Sequence, residues 1–445
     1  MKEEELNKLL KKAEKPQEDA LKLHPYYEGK IETVSKVPVR DSKDFAIWYT
    51  PGVAAPCKEI QKNKDLVWEY TAKGNTIAVV SDGTRILGLG DIGPWAGLPV
   101  MEGKALIFKH LGGVDAVPIC LNEKDPDKFI EIVKALEPSF GGINLEDIAK
   151  PKCFYILERL RKEMDIPVWH DDQQGTAAVT VAGMINAAKL TGRDFKKLKI
   201  VMIGTGAAGI SVLRLLVLAG VDPGNIILVD RHGIVYKDRE DLKEKFPYNY
   251  DLVIKTNAEQ RRGGIDEAFE GMEAFIGYSS AGSVSKKHIQ SMAKDPIVFA
   301  CANPVPEIWP WEAKEAGAKV VATGRSDFPN QVNNSLGFPG IFRGTLDVRA
   351  KTITDEMCLA ATFELAKVAE DKGLREDYII PSMDEWEVYP REAVKVAMKA
   401  IEQKVARRIY SEDELYKMAE EKIRRARQMT KVHMDKFIKP MPEGI

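Results

Sequence analysis

Two pairs of adjacent carboxylates, Glu146-Asp147 in GGINLEDIAKP and Asp171-Asp172 in WHDDQQGTA, are the residues of this 445-residue chain best suited to chemistry. Each pair has a plain explanation when taken alone. Asp171 or Asp172 could cap a helix, because an N-terminal turn offers unpaired N–H groups and a partial positive charge. Glu146-Asp147 could sit in a solvated loop. Together they suggest more. Both pairs fall where a strand-like run gives way to a helix, and in parallel α/β sheets the carboxyl ends of the strands gather ligands in one crevice. Three or four carboxylates meeting there are tolerable only around a cation, and an all-oxygen set selects a hard one, Mg²⁺ or Mn²⁺. The six histidines show no zinc spacing, and His170 beside the second pair reads as structural.

A second stretch with chemical content is Gly204-Thr205-Gly206-Ala207-Ala208-Gly209. It follows a buried-type strand and opens an apolar helix, and Asp230 comes about twenty residues later, at the end of Ile226-Ile227-Leu228-Val229. In a dinucleotide site the first glycine turns the chain, the second admits the pyrophosphate and the third lets helix and strand pack, while the acid binds a ribose hydroxyl. The spacing predicts NAD or NADP binding, against the bare alternative of a tight turn without a ligand. Asp230 should repel a 2′-phosphate and so favours NAD, while Arg231 beside it could hold that phosphate. The choice stays open, leaning to NAD.

Groups for acid and base work are less sharply marked. Tyr49 precedes a Thr-Pro-Gly turn that would fix its position. Lys104 opens a hydrophobic, strand-like run, where burial could lower its pKa toward that of a general base. Arg85, after Asp82-Gly83-Thr84, could fork a substrate carboxylate, and Asn303 and Asn334 could donate amide hydrogen bonds. Each has an ordinary reading too, such as a buried tyrosine or a snorkelling lysine, and none decides alone.

The elements that must position these groups follow from pattern. The length suits two or three domains, and 44% hydrophobic residues can fill their cores. Residues 1–22 predict a charged amphipathic helix. Beyond Lys30, the apolar runs 77–80, 105–108 and 116–120 read as strands alternating with helices, giving an N-terminal α/β substrate or catalytic domain over 1–164. A long helix over 174–189 leads into strands at 199–203, 226–229, 274–276, 297–299 and 319–322, a Rossmann-like doubly wound parallel sheet placed at 165–350. Residues 351–445 are mainly helical and are expected to pack on the other domains or on a partner subunit. Charge is nearly balanced, net −2, with no sign of a nucleic-acid or membrane surface. The charged N-terminus is unlike a leader, and no apolar run reaches membrane-span length. Five scattered cysteines suggest free thiols, hence a cytoplasmic protein.

The segments YTPGVA, SDGTRILGLGDIGP, PVMEGKALIFK, NLEDI, HDDQQGTA, GTGAAG, CANPVPE and PNQVNNSLGFPG occur in this order. The set closely resembles the malic enzymes, in particular the short prokaryotic type, from about residue 17 to residue 385. The resemblance implies oxidation of L-malate with NAD⁺ or NADP⁺ and decarboxylation to pyruvate and CO₂ using Mg²⁺ or Mn²⁺, with oxaloacetate decarboxylation as a partial activity. Carried over by motif, the metal ligands fall on Glu146, Asp147 and Asp172, the general base on Lys104, the tyrosine acid on Tyr49 and the carboxylate-binding arginine on Arg85. Asn303 and Asn334 match the substrate amides, Asn303 counting also among the dinucleotide contacts with the 204–209 turn, Asp230 and Arg231. Asp171 matches an acid that assists the lysine. A homodimer or a multiple of one is implied as well. Two other readings stand beside this one. They are a two-domain hydroxy-acid or amino-acid dehydrogenase that does not decarboxylate, and a non-catalytic dinucleotide sensor in which Lys104 and Tyr49 are structural.

Overall fold

The computed structural model describes residues 3–442; residues 1, 2 and 443–445, which belong to the predicted terminal segments, lie outside the described residues. Strands β1 (Thr76–Ser81), β2 (Asp115–Cys120), β3 (Gly142–Leu145) and β4 (Val168–His170) form a parallel sheet in the order β2-β1-β3-β4. Ile77, Ala78, Val79 and Val80 of β1 are buried as a continuous run, as a parallel strand covered on both faces requires. Strand order reverses between β1 and β3, which opens a crevice beyond their carboxyl ends. The register pairs Val80 with Leu145 and Leu145 with His170. Asp82, Glu146-Asp147 and Asp171-Asp172 therefore leave one edge of the sheet at nearly one level.

The second sheet contains β5 (Ile200–Ile203), β6 (Ile226–Asp230), β7 (Gly233–Ile234), β8 (Ala274–Gly277), β9 (Ile297–Ala300) and β10 (Val320–Thr323). Its order is β10-β9-β8-β5-β6-β7, parallel except for β7. Counted from β5 this is the doubly wound dinucleotide order 3-2-1-4-5-6, with the third strand reduced to a short antiparallel edge. The helix Asp171–Leu190, small and apolar on nearly every side, is buried along its length and packs against both the Ala207–Leu218 and Asp355–Asp371 helices. It carries the second acidic pair from the first sheet into the body of the protein.

One predicted strand is corrected. Residues 105–108 lie inside a helix, Gly93–Gly112, that opens with Pro94 in its first turn and ends at Gly113 in a left-handed cap. A short apolar run does not by itself distinguish strand from buried helix. Met101, Lys104, Ala105, Phe108 and Leu111 are buried on this helix at helical spacing, so Lys104 takes its place on an inward face and not at a strand start.

The helices Phe338–Asp347, Asp355–Asp371, Val388–Glu402 and Glu412–Lys436 make the C-terminal region helical. The chain returns through them to the first sheet. Phe338 packs tilted and Phe342 edge-on against Phe108, with centroids 4.5 and 5.2 Å away. Fully buried Arg343 forks Asp347 and reaches the Asn75 side-chain oxygen, while Lys422 of the last helix bonds to the same Asp347. A buried arginine is tolerable because its donors are taken up by charged and amide oxygens.

Candidate active site

The Lys104 ammonium is the centre of the acidic edge. Its Nζ lies 2.6 Å from Asp171 Oδ2, 3.1 Å from Glu146 Oε1 and 4.4 Å above the Phe338 ring centroid. Trp169 Nε1 donates to the other Asp171 oxygen at 3.0 Å, and Asn144 Nδ2 donates to Glu146 Oε2 at 2.9 Å. Asp172 turns its Oδ2 to the Asp147 amide at 2.8 Å. Asp147 itself has a left-handed φ of 55°. That turn sends its carbonyl to the Arg85 amide and its Oδ1 toward the Leu87 amide, which ties the acidic loop to the 82–90 loop after β1.

Too much negative charge is gathered here for one lysine to balance. Burial, then the charge of Asp172, pushes the Asp147 carboxyl up to about 8, against the pull of Lys104. Burial raises Glu146, Asp171 and Asp172 as well, with Lys104 opposing it in each case. The expected lowering of Lys104 is not found. Burial alone would depress it, but the facing charges of Asp171 and Glu146 outweigh burial and raise it.

The donor set suits a hard divalent cation. Glu146, Asp147 and Asp172 offer only oxygen, and the buried Asp147 Oδ2 has no hydrogen-bond partner. Among the described residues, the side chains do not close into a three-ligand cluster. Asp172 is turned to a backbone amide and Glu146 to Asn144 and Lys104, which is how mutually repelling carboxylates settle.

Gly175 is a condition of this arrangement. A Cβ there would stand 2.0 Å from Asp171 Oδ1 and 3.2 Å from the Asn334 Cβ, so its absence makes room for the acid and brings the 330–337 loop against it. Asn303 is exposed, with its carbonyl against Gly88 and its amide over Gly324. The loops after β9, β10 and β1 thus meet over the crevice.

The dinucleotide turn follows the expected division of labour. Gly204 has φ 102°, and a Cβ on it would come 2.2 Å from the Tyr278 carbonyl; one on Gly209 would come 2.0 Å from the Gly204 carbonyl. A Cβ on Gly206 would meet nothing within 4 Å. Space for a ligand is therefore open at the middle glycine alone. Thr205, Ala207 and Ala208 complete the turn, and the Thr205 carbonyl accepts a 3.1 Å bond from Lys150 of the acidic loop. Asp230 ends β6 as expected, with Arg231 exposed beside it.

Tyr49 stands apart from this group. It follows the short helix Asp44–Trp48, is 70% exposed, and its hydroxyl has no hydrogen bond among the described residues. Arg85 is exposed at the mouth of the crevice. Sequence reading passed over Lys150, Gly175, Phe338 and the partners of Asp230. Gly175 lies inside HDDQQGTA, Lys150 inside GGINLEDIAKP and Phe338 inside PNQVNNSLGFPG, whereas Arg239 and Lys245 carried no such signal.

A doubly wound sheet with this turn, bridged by Lys150 to an acidic cluster around a buried lysine, defines the protein as a dinucleotide-binding α/β oxidoreductase. Residues 28–161 match the malic enzyme N-terminal domain and residues 173–405 the malic enzyme NAD-binding domain. The chain belongs to the malic enzyme family. It is 53% identical to the bifunctional malic/malolactic enzyme of Bacillus subtilis over 88% of this chain and 94% of that protein. It is 50% identical to the NAD-dependent malic enzyme of Geobacillus stearothermophilus over 85% of this chain and 78% of that one. The crystal structure of the Entamoeba histolytica malic enzyme superposes with a TM-score of 0.94 at 47% identity, covering 97% of this chain and 91% of that one.

Proposed function

We propose that this protein oxidises L-malate with NAD⁺ or NADP⁺ and decarboxylates the product to pyruvate and CO₂. The observation that carries the reading is the Lys104 ammonium, clasped by Asp171 and Glu146 where the acidic loop is joined through Lys150 to the dinucleotide turn. Glu146, Asp147 and Asp172 would hold Mg²⁺ or Mn²⁺, which supplies acidification of a bound hydroxyl and stabilisation of enolate charge. Arg85 binds a malate carboxylate without taking part in proton transfer. Lys104 takes the C2 hydroxyl proton, and a nicotinamide held at the 204–209 turn would supply the acceptor for the C2 hydride. Lys104 keeps a proton while both Asp171 and Glu146 face it, so it becomes a base once Glu146 is engaged elsewhere. Asp171 then holds the Lys104 amine in place. Asn303 and Asn334 orient the substrate, Asn303 also touching the dinucleotide. Once the C3–C4 bond breaks and C4 departs as CO₂, its electron pair remains as an enolate and Tyr49 protonates C3.

Tyr49 needs a further surface to reach such a site. Its neighbours Phe45, Ile47 and Trp48 are exposed, as are Leu87, Leu89 and Trp95 beside the crevice. Exposed apolar side chains of this size are suited to a protein contact, and we assign them to a homodimer. No described helix is long and apolar enough to cross a membrane, and all five cysteines are free thiols. We place the enzyme in the cytoplasm.

The test follows absorbance of the reduced nicotinamide with L-malate, using NAD⁺ and NADP⁺ in parallel, with Mn²⁺ and then with excess chelator. Metal-dependent reduction with equivalent pyruvate is expected. Reduction that leaves oxaloacetate and no pyruvate would make this a plain dehydrogenase. Gly175→Ala is expected to lower turnover by about 100-fold, because displacing Asp171 by an ångström misaligns Lys104, while dinucleotide binding measured by calorimetry stays unchanged. Full turnover in that variant would separate Asp171 from the chemistry.

A further inference from the structure

The acid at the end of β6 is not free to do what its position suggests. In a dinucleotide fold this residue accepts ribose hydroxyls and repels a 2′-phosphate. Here both oxygens of Asp230 are taken. Arg239 forks it, Nη1 to Oδ1 at 3.1 Å and Nη2 to Oδ2 at 2.9 Å. Lys245 Nζ bonds to Oδ2, and the His232 amide bonds to Oδ1 at 2.8 Å. The Asp230 side chain is 3% exposed. Burial would raise its carboxyl, but the bonds from Arg239 and Lys245 hold it below the ordinary range. Such a carboxylate acts as the counter-ion that fixes two cations.

The surroundings are positive in balance. Arg239 is shared with Asp241, and Lys150 feels the charges of both Lys245 and Asp230. Arg231 is exposed, and among the described residues its only hydrogen bond runs from Nε to His232. Four cations, Lys150, Arg231, Arg239 and Lys245, thus face two carboxylates, Asp230 and Asp241. The other charged side chains of this stretch, Lys237, Asp238, Glu240, Lys243 and Glu244, are exposed. An exposed guanidinium, Arg231, next in sequence to an acid already paired with an ammonium and a second guanidinium, is the chemistry that recognises a phosphate monoester.

We propose that the end of β6 is a 2′-phosphate site, which makes NADP⁺ the preferred cofactor, with Arg231 and Lys245 contacting the phosphate and Asp230 positioning Arg239 and Lys245. The inference rests on the dinucleotide reading of the 204–209 turn. It reverses the lean toward NAD that Asp230 alone suggests, because an acid already neutralised by two cations no longer repels the phosphate.

The experiment titrates the full-length protein by calorimetry with 2′,5′-ADP and with 5′-AMP, which differ only in the 2′-phosphate. The bisphosphate is expected to bind about tenfold or more tightly, a difference that shrinks as salt screens the charges. Lys245→Gln and Arg231→Gln should each erode that preference while leaving 5′-AMP affinity unchanged. The ratio of kcat/KM for NADP⁺ over NAD⁺ should fall in step. Equal binding of the two nucleotides, or tighter binding of 5′-AMP, would overturn the 2′-phosphate site and leave the dinucleotide site standing. Binding of neither would overturn the dinucleotide reading and this inference with it.

Discussion

Replacing Lys104 with methionine is expected to lower malate turnover by about 10²–10⁴-fold, the usual worth of a positioned acid–base group. Methionine matches the length of the stem and can lie against Phe338, 4.4 Å from the present ammonium, but it offers no proton acceptor. The substitution also leaves Asp171 and Glu146 facing one another without their cation. Burial already raises both carboxyls, so the variant is expected to hold a proton between them and to melt at a lower temperature. Circular dichroism melts and calorimetric titration with 2′,5′-ADP separate that loss from the chemistry. A folded variant that binds nucleotide and still turns over malate within a few-fold of the parent would remove Lys104 from its role as the base.

Asp172→Asn isolates the metal reading. Asparagine keeps an oxygen that can accept from the Asp147 amide, the 2.8 Å bond that fixes this side chain, so the loop and the helix start should persist. What disappears is one negative oxygen ligand. The Mn²⁺ concentration giving half-maximal turnover is expected to rise by on the order of 100-fold or more, since even residues that only orient metal ligands are worth 10–100-fold. Affinity for the nucleotide should not change, because the 204–209 turn lies on the other sheet. Metal titration of activity, with Mn²⁺ binding followed directly by paramagnetic resonance, gives the answer. An unchanged metal requirement would take Asp172 out of the ligand set.

Much of the scaffold was legible because its signals are local. The short apolar runs of β1, β5, β6, β8, β9 and β10 stand out between turn residues, and the 204–209 glycines announce a turn whose chemistry depends on neighbouring backbone. The short run 105–108 was misread because four apolar residues fit a strand and a buried helix equally well. Its helical nature is written in Pro94 and Gly113, well outside the run.

The sequence by itself determined which groups are present and where the strands release the acids: Glu146-Asp147 and Asp171-Asp172 at strand ends and Asp230 at the end of β6. Those are properties of adjacent residues. Tertiary structure alone decided their electrostatic state. Lys104 meets Asp171 across 67 residues of chain, and its other wall, Phe338, arrives from beyond the second sheet, so its proton is held more tightly where burial alone had predicted release. Asp230 changes meaning in the same way, from a free acceptor to a neutralised counter-ion, once Arg239 and Lys245 fold onto it. Charge interactions in a buried site depend on distance and desolvation, and neither is defined until the chain has closed around it.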